Sequence, residues 1–487
     1  MNDPTPIERP DGSGTQRTLL YGFTWLSEFC GFLLIFAVTR ELAQTGASLL
    51  KMGILGGGMS LTLSTSCILS GRLSDRIGRR QVMGVGLLLL ILSVLGCRLI
   101  DKEHSMFYAS YWAAGGALGF SYPSLYAWLS VTRRYPHASG IGRTILFFCL
   151  MWNLGLICGQ LAGGWLFKAS DSGDWPLHLS IALAFLSMLL LRVIGPSPAP
   201  NEYQEAADSQ AHGELPNQAL SAAFAKLAWL ANLGGTFSMS MVIHLFPKLA
   251  VQVGIPPDQH GMILALSRVV VIAMYFALFY FSFWHHRVGP ALAAQVLGAG
   301  GLLVISYSRE PVGFILGLAC LAQLSGFNYF ASLYYSTAGS THDRRGAASG
   351  VHEATLALGM AGGCILGGVA GQLGDLGTPY RLGAIVDFSL AIAQILVYFR
   401  QVRRLRSALV PTTERCPRAG LLHVDRSTDF QHTSFVSRVG DFGDELLWID
   451  IDHVERSIVD RDGALGFQEF NRFDGIIDAH RKVVSDW

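Results

Sequence analysis

Apolar stretches of about 20 residues recur along most of the chain, and they restrict its fold more than any other feature of the sequence. Twelve such stretches can be assigned, six before residue 196 and six after residue 218. Each is long enough, as a helix, to cross the hydrocarbon layer of a membrane. Only 15% of the 487 residues are charged, against roughly 25% in an average soluble protein. The sequence therefore predicts an all-α integral membrane protein with twelve transmembrane helices.

The predicted spans form two halves that are joined by a linker. The first half, residues 18–195, contains spans near residues 19–38, 48–70, 82–100, 106–130, 143–167 and 176–195. The second half, residues 219–406, contains spans near residues 221–246, 260–283, 290–307, 311–335, 346–370 and 382–399. Residues 196–218 are polar and rich in Pro and Ala, which predicts a flexible cytoplasmic linker. Residues 1–17 are a polar segment without the apolar core of a signal peptide.

The distribution of Lys and Arg predicts the orientation of the chain in the membrane. If the N-terminus is cytoplasmic, the cytoplasmic loops and termini up to Arg406 contain 18 Lys and Arg, and the opposite loops and their flanks contain eight. Cytoplasmic loops carry such an excess in membrane proteins. We therefore expect both termini on the cytoplasmic side of the cell (inner) membrane.

The two halves also repeat in sequence. Residues 119–126 of span 4 (GFSYPSLY) resemble residues 326–334 of span 10 (GFNYFASLY). A glycine ladder in span 5 recurs at the same spacing in span 11, as Gly155, Gly159, Gly163 and Gly164, then Gly359, Gly363, Gly367 and Gly368. Small residues four apart let helices pack backbone to backbone, so these glycines are predicted packing positions. Parallel six-helix repeats are typical of secondary transporters whose substrate site lies between the halves.

The loop after span 2 carries the most specific motif of the chain. Residues 71–80 read GRLSDRIGRR. This loop resembles the signature loop of the major facilitator superfamily, G-x-L-[SA]-D-R-x-G-R-[RK], at every defined position. The resemblance covers residues 18–406 and implies two six-helix bundles that transport by alternating access. It also implies a charge latch formed by Gly71, Asp75, Arg76, Gly78, Arg79 and Arg80.

Two further patterns bear on the direction of transport and on coupling. The ladder of span 5 resembles the antiporter motif of the family, except that Gln160 stands where that motif has a Pro. Tyr111 and Trp112 stand in span 4 where proton-coupled members often carry an Arg. We expect export of a small organic solute coupled to proton entry. Uptake of a metabolite, such as a sugar or an organic anion, is the alternative.

Ionisable side chains within the spans are candidate functional groups, because inserting them into a membrane is costly. Glu28 in span 1 is the expected site for a proton or a cationic substrate, because burial disfavours a charged carboxylate. Arg268 in span 8 is the expected partner of Glu28 or Glu353, or the site for an anionic substrate. Glu353 in span 11 is a coupling candidate whose alternative role is a pair with Arg344 or Arg345. Structural roles are expected for His244, His352 and Asp387, with packing or an oligomer contact favoured for Asp387.

Aromatic and amide side chains are the remaining candidates for the cavity, which the resemblance places between spans 1, 4, 7 and 10. Tyr122 and Tyr126 lie four residues apart on one face of span 4, and Tyr329 and Tyr334 occupy the matching stretch of span 10. Tyrosine rings and hydroxyls suit a partly apolar organic solute, although aromatic residues are also common near membrane interfaces. Polar candidates for the same cavity are Asn153, Asn232 and Asn328.

Motifs of enzymes and cofactor sites are missing from the sequence. It contains no Walker loop, nucleophile elbow, zinc-protease helix or dinucleotide fingerprint, and its eight cysteines form no CxxC or zinc-type cluster. We therefore predict a protein that is not an enzyme and holds no cofactor or metal. Its net charge of +1 gives no indication of a nucleic-acid partner. The expected partners are a small solute, protons and the lipid bilayer.

Residues 407–487 are predicted to form an acidic cytoplasmic tail with 9 Lys and Arg against 15 Asp and Glu. Residues 460–470 resemble the later part of an EF-hand loop, but Ile458 occupies the position of the first ligand and no second copy follows. A small helical module, or a tail that binds a cytoplasmic partner, is favoured over calcium binding. A membrane sensor or scaffold that signals through this tail is the alternative outside transport.

Overall fold

The structure is a computed structural model that describes residues 13–131, 138–195, 218–340 and 345–405. Within these ranges every regular element is a helix. The described residues all belong to one compact unit. The predicted tail, with its EF-hand-like stretch, and the predicted linker up to residue 217 lie outside the described residues.

Twelve long helices in the described ranges follow the order of the predicted spans. The first six are α1 (Ser13–Gln44), α2 (Leu49–Ile77), α3 (Arg79–Leu99), α4 (Ser105–Val131), α5 (Ala138–Ser170) and α6 (Asp174–Val193). The second six are α7 (Gln218–His244), α8 (Pro257–Tyr280), α9 (Val288–Tyr307), α10 (Pro311–Ala338), α11 (Arg345–Leu373) and α12 (Thr378–Val397), which continues as a π-helical turn, Tyr398–Val402. One short helix between α7 and α8, Phe246–Gln252, was not predicted. The predicted all-α fold is confirmed.

Ten of these helices are both long and apolar enough to cross a membrane, as judged over the described residues. The two others, α4 and α7, contain 27 residues each, and about 20 are sufficient to span. Both belong to the set that the resemblance to the superfamily is expected to place around the central cavity. Their lower hydropathy is explained by Ser, Tyr, Asn and Thr side chains that face protein instead of lipid.

Large apolar side chains are exposed along the outer helices. Examples are Leu92 on α3, Leu189 on α6 and Leu396 on α12, which are 57%, 61% and 53% exposed. Side chains of this kind on an isolated soluble protein would form a large apolar surface. In a membrane the same surface is covered by lipid tails.

The glycine ladders pack in equivalent ways in the two halves. Gly155 and Gly159 lie against the backbone and side chains of α1, where a Cβ on Gly155 would stand 2.5 Å from the Glu28 Cβ. Gly163 follows on the same face, against Phe36. In the second half Gly359, Gly363 and Gly367 face α7 in the same manner. Each ladder therefore joins the fifth helix of its half to the first.

The last glycine of each ladder contacts the other half. A Cβ on Gly164 would stand 2.5 Å from the Pro257 carbonyl oxygen of α8, and one on Gly368 would stand 2.8 Å from the Leu49 carbonyl oxygen of α2. The halves thus meet through α5 against α8 and α2 against α11. We call the end of the bundle with residues 71–80 the motif end. The contacts of Gly164 and Gly368 lie near the opposite end.

Candidate functional site

Glu28 lies near the middle of α1, at the junction of the two halves. Its side chain is 1% exposed, and both carboxylate oxygens are buried without a hydrogen bond of good geometry. The Tyr122 hydroxyl of α4 and the Trp152 indole of α5 are the donors beside it. The missing side chain of Gly155 allows α5 to approach this closely. The carboxyl is therefore buried among side chains of the first half and has unused hydrogen-bonding capacity.

Arg268 of α8 brings a positive charge from the second half toward the same place. It is 7% exposed, and it acts electrostatically on Glu28 and on Tyr275 of its own helix. Its Nε atom has no hydrogen-bond partner in the described residues. Burying charges without full hydrogen bonding is costly, so such groups in a membrane bundle indicate a functional site.

A row of aromatic side chains crosses from one half to the other beside these charges. The ring of Tyr122 lies 6.3 Å from Trp152, which lies 5.0 Å from Tyr329 of α10, and Tyr329 lies 5.2 Å from His352 of α11. His352 is held by Ser332, whose Oγ lies 2.7 Å from the His352 Nδ1. The ring faces form an apolar surface, and the tyrosine hydroxyls and the ring nitrogens are the polar atoms of this row.

Glu353 is half-buried next to this row. It acts electrostatically on Tyr122, on Tyr329 and on Cys67 of α2. Arg344 and the side chain of Arg345, its alternative partners, lie outside the described part of the chain. The structure therefore brings Glu28, Arg268, Glu353, Tyr122 and Tyr329 into one group, which we call the central site.

Two other predicted residues lie at its border, and a third is buried on α7. Tyr126 packs on Phe148, with ring centroids 5.8 Å apart, and acts on Tyr329. Asn153 donates from Nδ2 to the carbonyl of Cys149 at 2.9 Å and faces Tyr275. Asn232 of α7 is 1% exposed, and neither amide atom has a hydrogen-bond partner.

Two predicted residues are not brought to the central site. Tyr334 stacks on His285 at the motif end, with ring centroids 5.0 Å apart. Asn328 donates to the Ala231 carbonyl at 2.8 Å, inside the second bundle. Their helix, α10, turns these side chains away from the central site, and the repeat in sequence does not contain that information.

Trp152 and Tyr275 were not predicted, although both belong to the site. Trp152 lies three residues before Gly155 and therefore on nearly the same face of α5. Because Gly155 lets α5 approach α1 closely, the Trp152 indole lies beside Glu28. His352 was considered only for a structural role, and it closes the aromatic row. The glycine ladder was the signal that could have identified Trp152.

A sequence profile of the Major Facilitator Superfamily matches residues 19–364. The chain belongs to this superfamily. The enterobactin exporter EntS of Citrobacter koseri is 24% identical over 381 residues, covering 72% of this chain and 84% of that protein. The multidrug resistance protein MdtH of Proteus mirabilis is 22% identical over 394 residues, covering 80% and 94%.

Solved structures of the superfamily share the fold. The nucleoside transporter NupG has a TM-score of 0.60 at 13% identity, over 79% of this chain and 99% of NupG. The human organic anion transporter MFSD10 has a TM-score of 0.55 at 16% identity, over 79% and 100%. These likenesses establish a multi-pass transporter fold, and members of the superfamily carry small solutes across membranes.

The opposite end of this superfamily fold is closed by contacts between the halves. Lys168 of α5 and Asp258 of α8 form an ion pair at 2.7 Å. Arg40 of α1, which is 4% exposed, donates to the Ile255 carbonyl at 2.8 Å. His244 lies in the same region, and its Nδ1 is 3.4 Å from the Cys364 sulfur. These contacts hold the two halves together at the opposite end.

The superfamily signature forms the connection between α2 and α3. Gly78 has φ 93°, which favours glycine, and its N–H donates to the Ser74 carbonyl at 3.1 Å. Arg80 donates to the Arg192 carbonyl at 2.7 Å, while Arg76 is exposed and Arg79 is partly buried. The surroundings of Gly71 and the side chain of Asp75 lie outside the described part of the structure. The charge latch stays a prediction.

Proposed function

We propose that this protein exports a small, partly apolar organic solute and that proton entry through Glu28 drives the export. The observation that carries the proposal is the central site, where a buried carboxyl of one half and a buried guanidinium of the other interact electrostatically. Export is supported by the relatives, which include an enterobactin exporter and a multidrug resistance protein.

The charges suggest how a proton and a solute act on the same movement. An ionised Glu28 attracts Arg268 across the junction, because the two buried side chains carry opposite charges. A proton on Glu28 removes the attraction and leaves Arg268 without its counter-charge. Since the two groups belong to different halves, protonation changes the energy of rocking one half against the other.

The aromatic row supports the proposed solute class. Tyr122, Trp152 and Tyr329 offer ring faces and edges for an apolar body and polar tips that fix its orientation. Asn232 lies near the middle of α7, and its amide, which has no hydrogen-bond partner among the described residues, supplies two donors and an acceptor oxygen. We expect an organic molecule that carries at least one ring.

The proposal also includes the orientation of the chain in the membrane and the charge latch of the signature loop. The excess of Lys and Arg at the motif end supports a cytoplasmic location for that end, with both termini inside and the protein in the inner membrane. In this orientation the contacts of Lys168 and Arg40 close the outer side. The signature loop, with Asp75, then acts as the cytoplasmic latch.

The test is flux in liposomes that contain the purified protein and a trapped pH-sensitive dye. A thermal-shift screen of ring-containing organic compounds first identifies a ligand, and its movement is then followed with and without a pH gradient. Glu28→Gln should abolish the coupled proton movement while ligand binding persists. Glu310→Gln, an exposed residue at the start of α10, is the matched control and should leave flux unchanged.

Three results would contradict the proposal. Proton-coupled flux that Glu28→Gln leaves unchanged would remove Glu28 from coupling. Flux only toward the side of the motif end would favour the uptake alternative. Loss of a cellular response on deleting residues 407–487, in a protein that moves no ligand, would favour the sensor alternative.

A further inference from the structure

A second group of buried polar side chains lies inside the second bundle. Asp387 of α12 is 0% exposed, and its Oδ2 accepts a hydrogen bond from the Ser238 hydroxyl of α7 at 2.9 Å. Gln295 of α9 donates from Nε2 to Oδ1 at 3.4 Å. Gly234 leaves room for the carboxyl, because a Cβ there would stand 2.6 Å from Oδ1. The buried side chain points into the bundle, so it is not exposed for the oligomer contact that was one of the two roles expected for Asp387, and the packing role stays a prediction.

Asp387 has no charged partner among the described residues. The helices packed against α12 are α7, α9 and α11. Its hydrogen-bond partners, Ser238 and Gln295, are both neutral. None of the described titratable side chains on these helices and on α12 acts on the carboxyl, namely Lys226, His244, Tyr307, His352, Glu353, Cys364, Tyr380, Arg381, Tyr398 and Arg400. A carboxylate this deeply buried needs a neutralising ligand.

A small cavity lies between Asn328, the hydrogen-bond partner of Gln295, and Arg287 toward the motif end. Asn328 donates to the Gln295 Oε1 at 3.3 Å, while its own Oδ1 has no partner. Gln394 lies about two turns after Asp387 on the same face of α12. It is 0% exposed, and neither of its amide atoms has a hydrogen-bond partner among the described residues. Asn328 and Gln394 line a cavity of about 20 Å³ that also borders the exposed Arg287. This volume holds a water molecule, and the amides supply its hydrogen bonds.

We propose that Asp387 is a second proton-binding site of this protein, loaded from the motif end through the cavity between α7, α9, α10 and α12. A proton arrives on water at Asn328 and Gln394 and binds to the Asp387 carboxylate, which becomes a neutral carboxylic acid. The Ser238 hydroxyl, which donates to the ionised form, turns and accepts from the neutral form. The O–H bond of the hydronium ion that carries the proton breaks as the O–H bond of the carboxylic acid forms, and a neutral water molecule remains.

The ligand is a proton and not a metal cation because of the groups around the carboxylate. Ser238 and Gln295 turn donors toward it, whereas a sodium ion requires several oxygen acceptors at once.

Protonation of Asp387 has a different effect from protonation of Glu28 in the central site. Asp387 and its partners belong to one bundle, so its protonation changes how α7 packs on α12 and does not change the attraction between the halves.

Infrared difference spectra of the purified full-length protein in nanodiscs, recorded during a pH titration, test the proposal. A C=O stretching band of a protonated carboxyl should titrate in the wild type and be lost in Asp387→Asn, while Glu28→Gln and Glu310→Gln retain it. Ser238→Ala keeps the carboxyl but removes a donor to its ionised form, so the midpoint of this band should rise by about 1 to 2 pH units. A spectrum that Asp387→Asn leaves unchanged would overturn the proposal. If Asp387→Asn does not fold, an unshifted midpoint in Ser238→Ala overturns it instead.

Two further measurements address the ligand and the route. Replacing choline chloride by sodium chloride should not move the midpoint, and a midpoint that falls in sodium would overturn the assignment to a proton. Ala291→Leu narrows the cavity on α9 and should slow the exchange of this carboxyl with D₂O by at least about tenfold, which corresponds to 1.4 kcal/mol. Ala293→Leu, on the exposed face of α9, is the control. Equal exchange in both variants would overturn the route.

Discussion

Gly164→Ala should open the contact between the halves at the opposite end. In the structure, a Cβ at this position would stand 2.5 Å from the Pro257 carbonyl oxygen and 3.2 Å from the Cα atoms of Asp258 and Gly261. All three atoms belong to the backbone of α8, so no side-chain rotation relieves the clash. Ordinary contact begins at 3.4 Å, and α5 and α8 must therefore separate by about 0.9 Å.

The size of the effect follows from the cost of overpacking. Inserting one methyl group into a well-packed contact costs about 1–3 kcal/mol. If that cost falls on the closed state, its population relative to opened states falls by roughly 5- to 150-fold. The ion pair between Lys168 and Asp258 cannot compensate, because a partly exposed pair contributes about 1 kcal/mol or less.

Hydrogen–deuterium exchange measures this opening without labels. Backbone amides at the end of α5 and the start of α8 should exchange faster in Gly164→Ala by the same factor, because exchange there requires local separation. Gly300→Ala, at a position on α9 with no atom within 4 Å, is the control. Gly368→Ala should produce the equivalent change at α2 and α11. Unchanged protection at both contacts would refute the packing argument.

Two further predictions concern the two ends of the bundle. Asp75→Asn should reduce ligand flux at least tenfold without lowering the yield of folded protein, as liposome flux and size-exclusion profiles would show, and full flux would exclude the latch. Asp375, between α11 and α12, accepts hydrogen bonds from Arg381 and Thr378, which lower its pKa below the usual value. Asp375→Asn should therefore lower the Tm at neutral pH, and the difference should disappear as the pH falls below about 4, since a lowered pKa stabilises only above the unfolded-state value. A Tm difference that persists at low pH would contradict this reasoning.

Local patterns predicted the elements correctly because the membrane restricts them so strongly. The twelve helices follow from apolar length, since any shorter helix would leave polar backbone groups in lipid. The short helix Phe246–Gln252 was not predicted, because its seven residues lie at the end of an apolar stretch and carry no separate signal.

Tertiary packing decided which neighbour each side chain meets. Gly163 and Gly164 are adjacent in one ladder, yet Gly163 contacts α1 and Gly164 contacts the other half. Neighbouring residues on a helix point about 100° apart, and the sequence does not state which helix covers each direction. The sequence therefore predicts close packing at both positions but not the partner.

The polar residues show the same division between sequence and structure. Sequence alone determined the membrane class, the number of helices, the repeat of the halves and the candidate charges Glu28 and Arg268, because composition and spacing carry these properties. Only the tertiary structure joined Glu28 to Trp152 and separated Asn328 from the central site. It also turned Asp387 toward α7. The physical reason is that a buried polar group is defined by the groups that surround it, and these come from helices distant in sequence.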